Sequence, residues 1–138
     1  MFSKYIDKER EARAFRLLGL LPELKDVTMK INADNSEDAL FLRYTIKRPL
    51  AYSGYGIVET IRLKNKDGEF VQPAISRLYR LLTKVAGKLK ADEIMNTPEN
   101  QLEKLLKDSA NVINDLEIVA DITVVKLSSG SEFNRVRF

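Results

Sequence analysis

The sequence predicts an α+β, mainly β domain built on a five-stranded antiparallel barrel. Three observations lead to this class. Five short segments alternate apolar and polar side chains, turn-forming residues separate them, and a helical pattern interrupts the series after the third segment. The chain of 138 residues has the size of one domain. Within it, we expect residues 1–24 to form a helical extension and residues 25–138 to form the barrel.

The N-terminal region is predicted to form a helix over residues 7–18, because it is rich in good helix formers and is followed by Gly19 and Pro22. The hydrophobic period then changes from helical spacing to strict alternation, which is typical of half-buried strands. The first three predicted strands cover residues 27–32, 40–47 and 57–64.

Alternation in the second and third strands assigns each side chain to one of two faces. Tyr44 falls on the apolar face of the second strand, so we expect it in the core. Glu59 falls on the apolar face of the third strand, where the sequence favours a partly buried carboxylate that accepts a hydrogen bond from a neighbour. The opposite face of both strands carries basic and aromatic side chains.

Two helices are predicted between the third and fourth strands. The first begins at Pro73 and runs to about Leu89, with apolar residues recurring every three or four positions. Thr97 is expected to cap the second helix, with Pro98 in its first turn. The last two predicted strands cover residues 116–126 and 133–138.

This order of elements is the connectivity of an OB-type barrel, in which an antiparallel meander is followed by a helical insertion and a hairpin. An open antiparallel α+β sandwich and a ferredoxin-like domain are the alternatives. The ferredoxin-like pattern fits less well, because it requires a helix between the first two strands. Here residues 33–38 have the composition of a hairpin loop.

The absence of two residue types argues against most enzyme classes. The chain has no His and no Cys, so the usual catalytic triads and the zinc sites that use these ligands are excluded. Glu59 and Asp121 are the only carboxylates on neighbouring predicted strands that could meet, and a magnesium-dependent nuclease needs several such groups. We therefore expect a protein that is not an enzyme and that holds no cofactor and no metal.

The charge balance permits nucleic-acid binding without requiring it. Lys and Arg number 23 and Asp and Glu number 20, which gives a net charge of +3. Residues 74–90 carry five basic side chains and no acid, a run that we interpret as the solvated face of a helix. The N-terminus is charged and lacks the apolar core of a signal peptide, so a cytoplasmic location is expected.

Several segments together resemble a known family. They are the runs 43–46, 57–65, 77–82, 99–106, 121–124 and 132–136. Their order is similar to that of the small OB-fold single-stranded-DNA-binding proteins encoded in bacteriophage replication and recombination cassettes, over about residues 27–138. The resemblance implies a protein that coats single-stranded DNA with little sequence preference in the bacterial host cell. It also implies phage recombinase or replication proteins as partners.

A coating protein needs repeated contacts, so we expect a homo-oligomer, formed through the N-terminal helix or the edges of the first and fifth strands. Single-strand binding itself requires basic side chains along the phosphates and exposed aromatic rings for the bases. Strands two and three and the loop between them supply both. The candidate DNA-binding residues are Phe41, Arg43, Lys47, Arg48, Tyr52, Tyr55, Arg62 and Lys64.

Five of the candidate residues also have a structural explanation. Phe41 could pack under the N-terminal helix, Tyr52 and Tyr55 could anchor their loop on the barrel, and Arg62 and Lys64 could be solvated strand charges. Two other functions are compatible with the sequence. One is a phage-encoded protein–protein interaction module that inhibits a host defence or replication enzyme, and the other is a structural component of the virion.

Overall fold

The computed structural model describes residues 20–138 and confirms the predicted α+β class with five antiparallel strands. The predicted helix over residues 7–18 lies outside the described residues. No helix in the described part of the chain is long and apolar enough to cross a membrane. The strands are β1 (Leu24–Asn35), β2 (Ala39–Arg48), β3 (Gly56–Arg62), β4 (Glu117–Lys126) and β5 (Glu132–Arg137). The helices are α1 (Gln72–Ala86), α2 (Lys88–Met95) and α3 (Leu102–Ile113), with a short 3-10 helix at Leu50–Tyr52.

The five strands form one sheet in the order β3-β2-β1-β4-β5, with β1 at its centre. The N-terminal part of β1 pairs with β4 and its C-terminal part pairs with β2, and the two pairings overlap only at residues 28–30. The edge strands β3 and β5 do not pair with each other, so the sheet is not a closed barrel. The prediction that the first strand offers a free edge for oligomerisation is therefore wrong, because both edges of β1 are hydrogen-bonded within the chain.

The core lies between the inner face of the sheet and the three helices. The alternation predicted for β1 is confirmed, since Val27, Met29 and Ile31 are completely buried. Tyr44 is also completely buried, as predicted. Each helix contributes the apolar side chains of one of its faces to the core. Packing the helices against the sheet removes the apolar surfaces of both layers from water. The core residues on the helices are Leu78, Leu81, Leu82, Ala91, Ile94, Leu106, Ala110 and Ile113.

Two details of the predicted helices are wrong. The first helix ends at Ala86, and the chain turns at Gly87, whose φ of 87° is in the region that glycine adopts without strain. A separate helix, α2, follows, and Leu89 on it is 89% exposed rather than part of the apolar stripe. Thr97 does not cap α3. Instead, its hydroxyl donates to the carbonyl of Ile94 at 2.6 Å, at the end of α2.

Candidate nucleic-acid interface

The outer face of β2 holds three of the predicted DNA-binding residues in a line. Phe41, Arg43 and Lys47 are all exposed, because the alternation of the strand turns Leu40, Leu42, Tyr44 and Ile46 inward. The ring of Phe41 is 40% exposed although its size and polarity favour burial. An aromatic ring with an accessible face on a strand rich in cations is the combination that single-strand binding uses.

At Phe41 and Arg43, the neighbouring strands widen this line into a shallow groove of about 360 Å³. Arg43 lies between Asn32 of β1 and Val58 of β3 in the strand register. Phe41 lies in the same way between Asp34 and Thr60. The Arg43 Nε is 3.6 Å from the position that a Cβ would take at Gly56, so its side chain reaches over β3.

Val58 belongs to this face, although it is not among the site residues that the sequence predicts. It is 76% exposed, which is unusual for a β-branched apolar side chain in the middle of a strand. The signal was present in the alternation, which places Val58 on the same side as Thr60 and Arg62. An exposed apolar side chain on an otherwise polar face could have identified it.

The predicted cations fall into two groups. Arg43, Lys47 and Arg48 form no ion pair with any residue between 20 and 138. Arg62, in contrast, is paired with Asp38 through Nη1 and Oδ2 at 2.9 Å. The Lys64 ammonium lies 4.9 Å from the centre of the Phe70 ring. Lys64 has no ion-pair partner among residues 20–138 either, so Arg62 is the predicted cation whose charge is neutralised within that range.

Tyr52 and Tyr55 are only half-exposed, and both pack against the core. Their ring centres are 6.0 Å apart and the planes are tilted by 52°, a geometry typical of an aromatic pair. The Tyr55 carbonyl also accepts a hydrogen bond from the Ile46 amide at 2.8 Å, which ties the loop to the end of β2. The loop-anchoring explanation thus accounts for their positions, and a stacking role for these two rings stays a prediction.

Glu59 is partly buried and hydrogen-bonded, as the sequence predicted. Its carboxylate accepts from the Tyr44 hydroxyl at 2.8 Å and from two nitrogens of the Arg77 guanidinium. Arg77 also donates from Nη2 to the carbonyl of Val136 at 2.9 Å and lies 4.5 Å from the centre of the Phe138 ring. Burial raises the pKa of the Tyr44 phenol, and the neighbouring Glu59 carboxylate raises it further.

Glu59 and Asp121 do not form the pair that the sequence left open. They lie on β3 and β4, which are not adjacent in the sheet. Glu59 is on the inner face, whereas the Asp121 carboxylate is on the other side of its strand from buried Ala120 and Ile122 and accepts from the Asp26 amide at 3.0 Å. The described residues contain no group of three or more acidic side chains that could hold a metal ion.

Comparisons with known proteins give no relative from which a role could be transferred. No family model, no curated protein and no solved structure matches the chain.

Proposed function

We propose that this chain is a non-catalytic protein that binds single-stranded DNA on the outer face of β2 and its neighbours. The observation that carries the proposal is the line of Phe41, Arg43 and Lys47, where an exposed ring shares one face of β2 with two cations that have no ion-pair partner among the described residues. The adjoining cation Arg48 extends this line at the end of β2.

The topology supports an OB-type assignment within this proposal. The strand order β3-β2-β1-β4-β5, with the helices inserted between β3 and β4, is compatible with a five-stranded Greek-key barrel that is open between its third and fifth strands. In such barrels the face of strands two and three binds oligonucleotides. In this chain, the candidate DNA-binding face is likewise formed by strands two and three.

In the proposed mode of binding, the phosphates of the strand lie along Arg43, Lys47 and Arg48, and a base stacks on Phe41. The exposed methyl groups of Val58 extend the apolar surface beside the ring. Stacking on a ring tolerates any base, and phosphate contacts carry no sequence information, so binding is expected to show little sequence preference. Coating of DNA during phage replication or recombination, with self-association of the protein, is the role that fits this activity.

Titration of fluorescein-labelled oligo-dT with the full chain at low salt, followed by fluorescence anisotropy, tests the proposal. We expect the wild-type chain to bind, and double-stranded DNA of the same length to compete poorly. Phe41→Ala removes the stacking ring and should weaken binding by about 5- to 150-fold, the equivalent of ~1–3 kcal/mol.

The double variant Arg43→Ala with Lys47→Ala should weaken binding as well, because it removes two phosphate contacts. Its matched control is Arg80→Ala with Lys84→Ala, which removes two exposed cations from α1, a helix that packs against the inner face of the sheet. We expect the control to bind oligo-dT like the wild type. A wild-type chain that does not bind at low salt, or an equal loss in the control, would contradict the proposal.

A further inference from the structure

The two edge strands of the sheet face each other across a second cleft, which the proposed DNA site does not include. It has a volume of about 580 Å³ and lies between β3 and β5, with the N-terminal part of α1 as its floor. Ile61 and Val136 supply apolar side chains from the two strands, and Pro73 and Ala74 supply them from the helix. We call this space the β3–β5 cleft.

Arg77 joins the two strands on the inner side of the β3–β5 cleft. Its guanidinium binds Glu59 of β3 and the carbonyl of Val136 of β5. The Val136 carbonyl belongs to an edge strand, and the Arg77 side chain donates the hydrogen bond that a neighbouring strand would otherwise donate. Over the described residues, neither β3 nor β5 has a ladder partner on the side that faces the cleft. Such edges are templates for another extended backbone.

The margin of the cleft already binds a peptide backbone. The Asn134 side chain, which lines the cleft, accepts from the Leu21 amide at 2.9 Å and donates to the Leu21 carbonyl at 2.8 Å. A peptide offers both donors and acceptors to the edge of a strand, whereas a phosphodiester backbone offers acceptors only. The chemistry of the two edges therefore favours a peptide over a nucleic acid.

The charges around the cleft indicate which peptide would fit. Arg62 and Arg135 are exposed at its rim. Arg62 is already paired with Asp38, whereas the Arg135 guanidinium has no ion-pair partner between residues 20 and 138. Glu59 is the single acidic residue among those that line the cleft, and Arg77 neutralises it. A second copy of the chain suits the site less well. Its free edges are β3, with Glu59 and Arg62, and β5, where Arg135 and Arg137 outnumber Glu132, so neither edge brings a net negative charge to Arg135.

We propose that the β3–β5 cleft is the docking site for an extended acidic segment of a partner protein. The segment adds a strand beside the free edge of β3, with an aspartate or glutamate side chain facing Arg135 and alternate apolar side chains on the floor of the cleft. β3 has seven residues, and a bound segment with the same rise of ~3.3 Å per residue needs about seven residues to match its length. This activity is separate from DNA binding. Val58 and Thr60 line both the groove and the cleft, but Arg135 and the floor of the cleft do not belong to the DNA site.

A fluorescein-labelled hexapeptide that alternates aspartate and isoleucine is a suitable probe, titrated with the full chain and followed by anisotropy. We expect saturable binding, and at least a tenfold loss when alternate amides of the peptide are N-methylated, because methylation blocks ladder hydrogen bonds. Replacing aspartate by lysine in the peptide should also abolish binding. Hydrogen exchange should slow in residues 56–62 and 132–137 when the aspartate peptide is bound.

Variants of the chain separate this site from the DNA site. Arg135→Glu should weaken peptide binding at least tenfold, whereas Arg137→Glu, on the same strand but outside the cleft, should leave it unchanged. Phe41→Ala should not affect the peptide. Equal binding of the N-methylated peptide, or no binding at all, would overturn the proposal. Two further results would overturn it. One is displacement of the peptide by oligo-dT together with loss of oligo-dT binding in Arg135→Glu, because the cleft would then be part of the DNA site. The other is competition between the peptide and self-association of the chain, because a second copy would then occupy the cleft.

Discussion

The ion pair of Arg77 and Glu59 joins α1 to β3 in an environment with little water. The side chains are 8% and 19% exposed, and the Tyr44 hydroxyl and the Val136 carbonyl complete their hydrogen bonds. Removing one member of such a pair leaves the other charge buried without compensation, which costs more than the pair itself contributes to stability. Removing one charge from this network is therefore expected to lower the stability of the fold strongly.

Glu59→Gln keeps the shape of the side chain and removes its charge. We expect the free energy of unfolding to fall by about 3 kcal/mol, because the Arg77 guanidinium stays buried without its counter-ion. Urea denaturation followed by circular dichroism measures the change. Glu117→Gln, on the exposed face of β4, is the matched control and should change stability by less than about 0.5 kcal/mol. Equal, small effects of both substitutions would show that Glu59 does not hold Arg77.

The Tyr44 phenol couples the same network to pH. Burial raises its pKa in the folded chain above the ordinary value of 10.0, with Glu59 as a further cause, so the unfolded chain loses the proton first as pH rises. The stabilisation is complete below pH 10 and falls above it. We expect the urea midpoint of the wild type to decrease between pH 9 and 11 more steeply than that of Tyr44→Phe. Parallel curves would assign the alkaline loss to other groups.

Part of this network could be predicted from the sequence and part could not. The alternation of β2 and β3 identified Tyr44 as a core residue and Glu59 as a hydrogen-bonded carboxylate. Arg77 was assigned to a solvated helix face, because it shares its spacing with Arg80 and Lys84. It is 18 residues from Glu59, and only the packing of α1 against the sheet brings the two together. A periodic pattern on one helix does not contain that information.

At the level of elements, strands were predicted better than helices. A period of two residues determines which face of a strand is buried, and the alternation predicted for β1, β2 and β3 is confirmed. The helical period was extended too far, because Leu89 continues the spacing of α1 beyond its end. The interruption is at Gly87, and a glycine within a helical pattern does not by itself indicate a change in chain direction.

Gly87→Ala tests the cause of the bend between α1 and α2. At a φ of 87° an alanine is strained although open space surrounds the position, so we expect a loss of stability of roughly 1–2 kcal/mol. Gly56→Ala is the control, because that backbone is not left-handed and the added Cβ would make an ordinary contact with Arg43. Thermal denaturation of both variants gives the comparison. A stable Gly87→Ala chain would mean that the two helices can merge.

At the level of the whole molecule, the modest net charge of +3 conceals a local concentration on β2 of cations that have no ion-pair partner between residues 20 and 138. If Arg43, Lys47 and Arg48 are the phosphate contacts, the logarithm of the binding constant should fall against the logarithm of salt concentration with a slope of about −2. Anisotropy titrations with oligo-dT over a range of sodium chloride concentrations measure the slope. A value near −5 would mean that further cations, such as those on α1, contact the strand.

The fold class could be predicted from the order of elements along the chain. Which strands lie next to each other in the sheet could not be predicted from that order. Alternation describes one strand at a time and cannot show that β1 binds β4 as well as β2. The assignment of a free edge to the first strand failed for this reason. Whether β3 and β5 pair depends on the tilt and register of all five strands, which no local pattern specifies.

The central position of β1 also determines when the sheet can be completed during synthesis. Asp26 of β1 and Asp121 of β4, which share a hydrogen bond, are separated by 95 residues in the chain. At a synthesis rate of roughly 5–20 residues per second, β1 therefore waits roughly 5–20 s for β4 to be made. During that interval, the edge of β1 that later pairs with β4 has no partner strand in the nascent chain. Chaperones and neighbouring nascent chains can reach this edge then, and β4 covers it in the finished protein.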